Sequence, residues 1–234
     1  MFKIGLLGKK YVDTILHVNN VVLGETNNCT SIKEKLGGCF NFLDSDIKDV
    51  HLECITRGVK IAYIVCDTKK STRSSFVIDS KPSNISLQDI SFINREFDWI
   101  HVCYLDDLED FSKVTQIKQP FSLDFCTDSD RSFYVDIMNM SKVIFDSRHR
   151  KILYKDLCVK TPIIFHDEFG FEIVKNRKTI HLESMIPLAL SDVNGAGDLY
   201  AAYFLKNYQS LGIIESARLA MKAATTTLVN REKQ

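Results

Sequence analysis

The sequence predicts an α/β fold: a central, mostly parallel sheet flanked by helices, with a small β sheet outside it. Three observations carry this reading. Short apolar runs alternate with helical patterns along the 234 residues, the order that builds parallel sheets. Two segments, 12–18 and 26–36, break that rhythm and are partly alternating and polar-rich. Asp192-Val193-Asn194-Gly195-Ala196-Gly197-Asp198 places a turn of small residues directly before an apolar helical stretch, Leu199–Leu205. The chain reads as one α/β domain over 1–234, with the small sheet from about 12–36 and 72–79 as a further candidate part of it.

Taken in order, strands are predicted at Lys3–Leu7, Lys60–Val65, Ser75–Ile78, Trp99–Tyr104, Phe121–Phe125, Val143–Phe145, Ile163–Phe165 and Phe171–Val174. Helices are predicted at Asp106–Lys118, Ser129–Met140, Gly197–Asn207 and Ile213–Val229. In the last, Ile213, Ala217, Ala220, Ala224 and Leu228 recur at helical spacing and read as a packing face. Val12–Val18 and Thr26–Leu36, separated by Val21-Val22-Leu23-Gly24-Glu25, are read as strands of the small sheet. A hairpin at the domain edge is the plainer alternative. A face bearing Val12, Ile15, Ile32 and Leu36 needs something to pack against, which predicts a homodimer through the small sheets.

Composition narrows the classes. Hydrophobic content is 45%, charged content is 26% and the formal net charge is zero, so no basic excess points to nucleic acid or to an anionic membrane surface. The seven cysteines include no Cys-x-x-Cys pair, which argues against a structural zinc site, and their scatter fits a reducing compartment. No apolar run approaches membrane-spanning length. Met1–Lys10 is too short and too interrupted to read as a secretory signal, so a cytoplasmic location is expected.

The chemistry concentrates at 192–198. Gly195, Ala196 and Gly197 let backbone N–H groups approach an anion without side chains in the way. The helix that follows adds unpaired N–H groups and a partial positive charge. Asp198 puts a carboxylate beside this cradle. An acid next to an anion site suits phosphoryl transfer onto a hydroxyl, with the carboxylate taking the proton. The bland alternative is an ordinary helix start with an acid in its first turn.

A second constellation precedes it. Gly37-Gly38-Cys39-Phe40-Asn41 opens a short helix after the second polar segment. Gly37 and Gly38 permit close approach of a polyhydroxy ligand, and Asn41 both donates and accepts. Asp13, placed after the first strand, offers a charged acceptor to hydroxyl groups.

These residues, in this order, resemble the ribokinase-like (PfkB) carbohydrate kinases. Asp192-x-x-Gly195-Ala196-Gly197-Asp198 is similar to the signature Asp-x-x-Gly-Ala-Gly-Asp of that family. Gly37-Gly38-x-x-Asn41, Asp13 and Gly24-Glu25-Thr26 match its sugar-side and lid segments more loosely. The resemblance implies a sugar kinase with a small β lid. Asp198 would be the catalytic base, Gly195–Gly197 the anion hole, and Asp13, Gly37, Gly38 and Asn41 the sugar site. Asp192 and Gly170 would lie on the nucleotide side. ATP and Mg²⁺ are the implied cofactors, and a sugar or sugar derivative is the implied partner. Fructoselysine kinases are a weaker further analogy.

The chain also departs from the pattern. The stretch between Asn41 and Val59 leaves room for little more than one or two helices. The expected Asn-x-x-Glu is replaced by Asp146-Ser147-Arg148-His149-Arg150, where Arg148 or Arg150 could meet a phosphate. The expected Thr-x-Gly is replaced by Phe165-His166-Asp167, in which His166 reads as a surface or strand-end residue rather than a catalyst. A C-terminal segment walling the adenine is not evident by Gln234. Weak ATP binding is therefore expected. The rival reading is a non-catalytic sugar- or nucleoside-binding protein with an eroded ATP site. No P-loop and no Gly-x-Gly-x-x-Gly is present, against other nucleotide-dependent folds.

Overall fold

The computed structural model describes residues 1–232 apart from 9, 44, 46, 48–49, 56–58, 71, 79–83, 168–169 and 184–193. An eight-stranded sheet is built from β1 (Phe2–Gly8), β4 (Val50–Cys54), β7 (Trp99–Cys103), β8 (Phe121–Asp124), β9 (Val143–Ser147), β10 (Ile163–Asp167), β11 (Gly170–Lys175) and β12 (Lys178–Glu183). Its order is β12-β11-β10-β9-β8-β7-β1-β4. Every pairing from β4 to β10 is parallel, and β11 and β12 close the far edge antiparallel.

Side chains along these strands alternate between two cores. In β9, Val143 and Phe145 enter one core and Ile144 the other. In β7, Trp99 and Cys103 face one side, and Ile100 and Val102 the other. A sheet buried on both faces needs helices on both, which explains the continuous apolar runs. One face is covered by α4 (Ala196–Glu232), with Ala217, Ala220, Ala224 and Leu228 buried against the sheet. The apolar stripe read from the sequence is that packing face. The other face is covered by α2 (Leu87–Glu96) and α3 (Val135–Met140), through Ile90, Ile93, Ile137 and Met138.

A separate four-stranded sheet, ordered β3-β2-β5-β6, contains β2 (Lys10–Val18), β3 (Cys29–Gly38), β5 (Val59–Asp67) and β6 (Thr72–Ile78). β2 pairs antiparallel with β3 and parallel with β5. Lys60–Val65, which reads as a main-sheet strand from its apolar run, belongs here. Its alternation decides this: Ala62 and Ile64 are buried while Ile61 and Tyr63 are exposed. A one-sided strand fits a sheet open to solvent on its other face.

Other expectations are corrected in kind. Asp106–Lys118 is not one helix but two 3₁₀ segments, Leu105–Asp107 and Phe111–Gln116. Asp106 explains part of this, because its carboxylate accepts the N–H groups of Cys126 and Thr127 across a loop. Ser129–Met140 is α-helical only from Val135, since Asp130 caps a 3₁₀ turn at 131–134. The two C-terminal helices run together and break at Gly212, at φ 70°. β4, β12 and α2 carry too little apolar periodicity to be read from sequence. α2 is nonetheless closed by a capping box in which Ser86 and Asp89 exchange hydrogen bonds.

Candidate functional site

The parallel strands all end on one side, and that edge is where open α/β sheets bind ligands. Tyr104 follows β7, Asp124 ends β8, and Ser147 and His166 lie at the ends of β9 and β10. The N-terminus of α4 arrives beside them, and the small sheet covers them from above through Asp13, Ala62, Ile64 and Val77. A cavity of about 540 Å³ lies between these parts.

At its floor lies the 194–198 turn. Gly195 takes φ 76°, a left-handed conformation suited to glycine, and a side chain there would run into Asn41. The helical ladder starts with Leu199 N–H donating to Gly195 C=O at 2.9 Å. The N–H groups of Ala196, Gly197 and Asp198 therefore precede it, as the first N–H groups of a helix do. Gly197 gives its space to His166: a Cβ there would sit 2.8 Å from the imidazole Cε1. His166, expected to be an ordinary strand-end residue, thus stands against the turn and lines the cavity.

Asp198 is buried, and Asn41 and Tyr104 both donate to it. Asn41 Nδ2 donates to Oδ2 at 2.8 Å. The Tyr104 hydroxyl donates to Oδ1 and Oδ2 at 3.1 and 3.3 Å. Asn41 comes from α1 (Phe40–Leu43), the short helix that Gly37-Gly38 introduces. Its Oδ1 is buried with no hydrogen-bond partner among the described residues, so it presents an acceptor that requires a donor.

Asp13 occupies a strand position in β2 rather than a loop after β1. It is buried and accepts from Asn194 Nδ2 at 2.8 Å. Gly37, on the adjacent strand β3 where it pairs with Tyr11, must lack a side chain because a Cβ would collide with the Asp13 carboxylate. The two polar constellations therefore converge: Asp13 and Asn41 are each tied to the 194–198 segment, from opposite ends of the chain.

Asp124 also faces the cavity. Burial, then the nearby Asp198 and Asp146 charges, holds its carboxyl well above the usual carboxylate range. Asp146 does not share the cavity. It is fully buried and accepts from Arg131 Nη2 at 3.0 Å, Tyr154 Oη at 2.6 Å and Arg150 Nε at 2.5 Å. Arg131, also fully buried, stacks over Phe125 at 4.0 Å. This network fixes the loop after β8.

Of the two arginines read as phosphate partners, Arg148 turns away and pairs with Asp167 at 2.9 Å. Arg150 reaches the cavity, but much of its guanidinium is bound to Asp146, the Phe125 carbonyl and Ser147. Gly170 lies apart from the main cavity. It lines a smaller one of about 50 Å³ with His166, Ala196, Tyr200 and Leu228. Asp192 lies outside the described residues. Sequence reasoning missed Tyr104, Asp124 and Asn194. The first two stand where strands end at the ligand edge, a signal available once the strands are placed.

The sequence matches no family model and no curated protein. Among solved structures, the Methanocaldococcus jannaschii nucleoside kinase, described as an archaeal member of the ribokinase family, aligns over 98% of this chain and 92% of its own at 16% identity, TM-score 0.70. Burkholderia thailandensis nucleoside kinase in complex with inosine aligns over 97% and 90% at 13% identity, TM-score 0.69. Arabidopsis thaliana ribokinase complexed with ribose and ATP aligns over 98% and 93% at 14% identity, TM-score 0.68. The fold of this chain is ribokinase-like, a large mostly parallel sheet with a second small sheet over its ligand edge.

Proposed function

We propose that the protein is a carbohydrate kinase that transfers the γ-phosphoryl group of ATP to a hydroxyl of a sugar or sugar derivative. The observation that carries this reading is Asp198: a buried carboxylate, oriented by Asn41 and Tyr104, in the first turn of a helix whose opening residues line the same cavity. ATP-dependent transfer is also in keeping with the fold neighbours, one of which was solved with ribose and ATP.

In the proposed reaction Asp13, Asn41 and the Gly37-Gly38 backbone hold the sugar. The unpartnered Asn41 Oδ1 accepts from a sugar hydroxyl. The acceptor hydroxyl gives its proton to an Asp198 oxygen as its own oxygen bonds to the γ-phosphorus. The bond from that phosphorus to the β–γ bridging oxygen breaks, and ADP leaves. The Ala196 and Gly197 N–H groups meet the charge on the phosphoryl oxygens. General-base help of this kind contributes about 10²–10⁴ in rate.

Among the described residues there is no cluster of three or more metal-ligating side chains, and Mg²⁺ does not require one. That ion takes one or two carboxylates together with phosphate oxygens and water. Asp124, a buried carboxyl in the cavity near the charge of Asp198, is the residue that would hold it. Bound there, the ion would neutralise phosphate charge. A phosphoryl-transfer screen over sugars and nucleosides with ATP and Mg²⁺ tests the proposal, and turnover of at least one acceptor is the expected result.

One observation favours a second reading, a sugar- or nucleoside-binding protein that uses ATP poorly. The cavity at Gly170 measures about 50 Å³, whereas small-molecule sites are typically ~300–1,000 Å³. Acceptor-dependent thermal stabilisation without turnover, and no saturable binding of a non-hydrolysable ATP analogue, would select that reading.

A further inference from the structure

Tyr104 is an anomaly of both backbone and placement. It follows a strand whose five residues are all buried, and it takes φ 64°, ψ 66°. A bulky side chain seldom adopts that left-handed region, and strained residues concentrate at functional sites. The conformation turns the chain out of the strand. The phenol then reaches a carboxylate 94 residues away, with its hydroxyl 3.1 Å from Oδ1 and 3.3 Å from Oδ2 of Asp198. The ring is steadied edge-on by Tyr11, centroids 6.4 Å apart, from the small sheet.

Asn41 donates to Oδ2, and the phenol sits across both oxygens. Burial and the neighbouring Asp198 and Asp124 charges push the phenol well above the ordinary tyrosine range, so it stays a donor. A fixed donor favours the ionised carboxylate, the form a general base must have.

We propose that Tyr104 is a positioning residue for the transfer. Its hydroxyl holds Asp198 ionised and in one orientation. This rests on the reading of Asp198 as the base. It adds a group that no part of the signature contains, donated from the residue that follows β7.

The test measures Asp198 directly. Carbon-13 carboxyl titration by NMR, with the Asp198 signal identified by its loss in Asp198→Asn, gives the pKa in the ligand-free protein. Tyr104→Phe removes the hydroxyl, and Tyr104→Gly removes it while relieving the backbone, which keeps a folded variant available. Both are expected to raise the Asp198 pKa by about one unit. In turnover the acid limb of the kcat profile should move upward with it, with kcat down about tenfold and acceptor KM within threefold. An unchanged Asp198 pKa in both variants overturns the proposal. So does a gain in kcat/KM, which would mean that the phenol occupies the place of the acceptor hydroxyl. If Asp198→Asn keeps full activity while the titration shifts as expected, the base assignment fails and the Tyr104–Asp198 coupling stands.

Discussion

Asn41 and Asp198 stand 157 residues apart in sequence and share a 2.8 Å hydrogen bond inside the cavity. The pairing joins the sugar-side constellation to the transfer motif. It also distinguishes the two ends of the Asn41 amide: the nitrogen donates to the carboxylate, and the oxygen is buried without a hydrogen-bond partner among the described residues.

Asp198→Asn should abolish most turnover while sugar affinity persists. The amide cannot take the acceptor proton, and the loss expected is about 10²–10⁴ in kcat. Steady-state kinetics with the best acceptor from the screen, alongside calorimetric titration of that acceptor, gives both quantities. A kcat equal to that of the parent protein would remove Asp198 from the role of base.

Asn41→Ala and Asp13→Ala should weaken acceptor binding more than nucleotide binding. Each removes a polar partner from sugar hydroxyls, at about 1–3 kcal/mol for a buried group left unpaired. Asp13→Ala also frees the Asn194 amide, so its effect should be the larger of the two. Calorimetry that finds acceptor affinity unaltered in both variants would move the sugar site elsewhere.

Asp124→Asn should raise the melting temperature in metal-free buffer and weaken the response of activity to Mg²⁺. The sign follows from the raised carboxyl: stability held below the unfolded carboxylate pKa of about 3.9 is lost as pH rises toward the folded value. The amide removes that loss, so the gain in Tm should grow between pH 4 and 7. A variant less stable than the parent at pH 7 would show that Asp124 is already compensated.

His101 should contribute to acid sensitivity. Burial lowers its pKa to about 3, and its Nδ1 lies 2.8 Å from Ser122 Oγ. The folded protein keeps it neutral, while the unfolded chain protonates it near pH 6.5. Stability present above pH 6.5 is therefore lost as pH falls toward 3, with a slope of about 1.4 kcal/mol per pH unit for one proton. His101→Phe, placed among Phe42 and Phe145, should remove that slope. Urea unfolding at pH 6 and pH 5 reads the difference, and identical slopes in parent and variant would contradict a neutral buried imidazole.

The outer face of the small sheet should form a dimer contact. The register puts Val12, Leu36, Ile61 and Ile78 in one row, with Tyr63 and Phe76 in the next. Ile61, Ile78 and Phe76 are 47%, 53% and 58% exposed, although apolar. Ile15, expected on this face, lies on the opposite one and is fully buried. Light scattering should report about twice the 26.8 kDa chain mass, and Phe76→Asp with Ile61→Asp should report one chain. A parent protein that stays monomeric at every concentration removes the dimer.

The sequence by itself determined the α/β class and the main parallel strands, because buried strands leave apolar runs that survive without any neighbour in view. It also determined the 194–198 turn and the Gly37-Gly38 approach, because small residues at fixed offsets are needed locally, whatever the rest of the chain does. It placed Asp13, Asn41 and Asp198 in a common list but not in a common space. Only the tertiary structure decided that Asn194 ties to Asp13, that Asn41 and Tyr104 both hold Asp198, and that Asp146 turns away into the Arg131 network. Those contacts join residues 15 to 181 positions apart. Tyr104 shows the physical reason most directly. Its place in the site depends on a left-handed backbone turn at the end of a buried strand, a conformation that no local preference of tyrosine encodes and that the surrounding packing imposes.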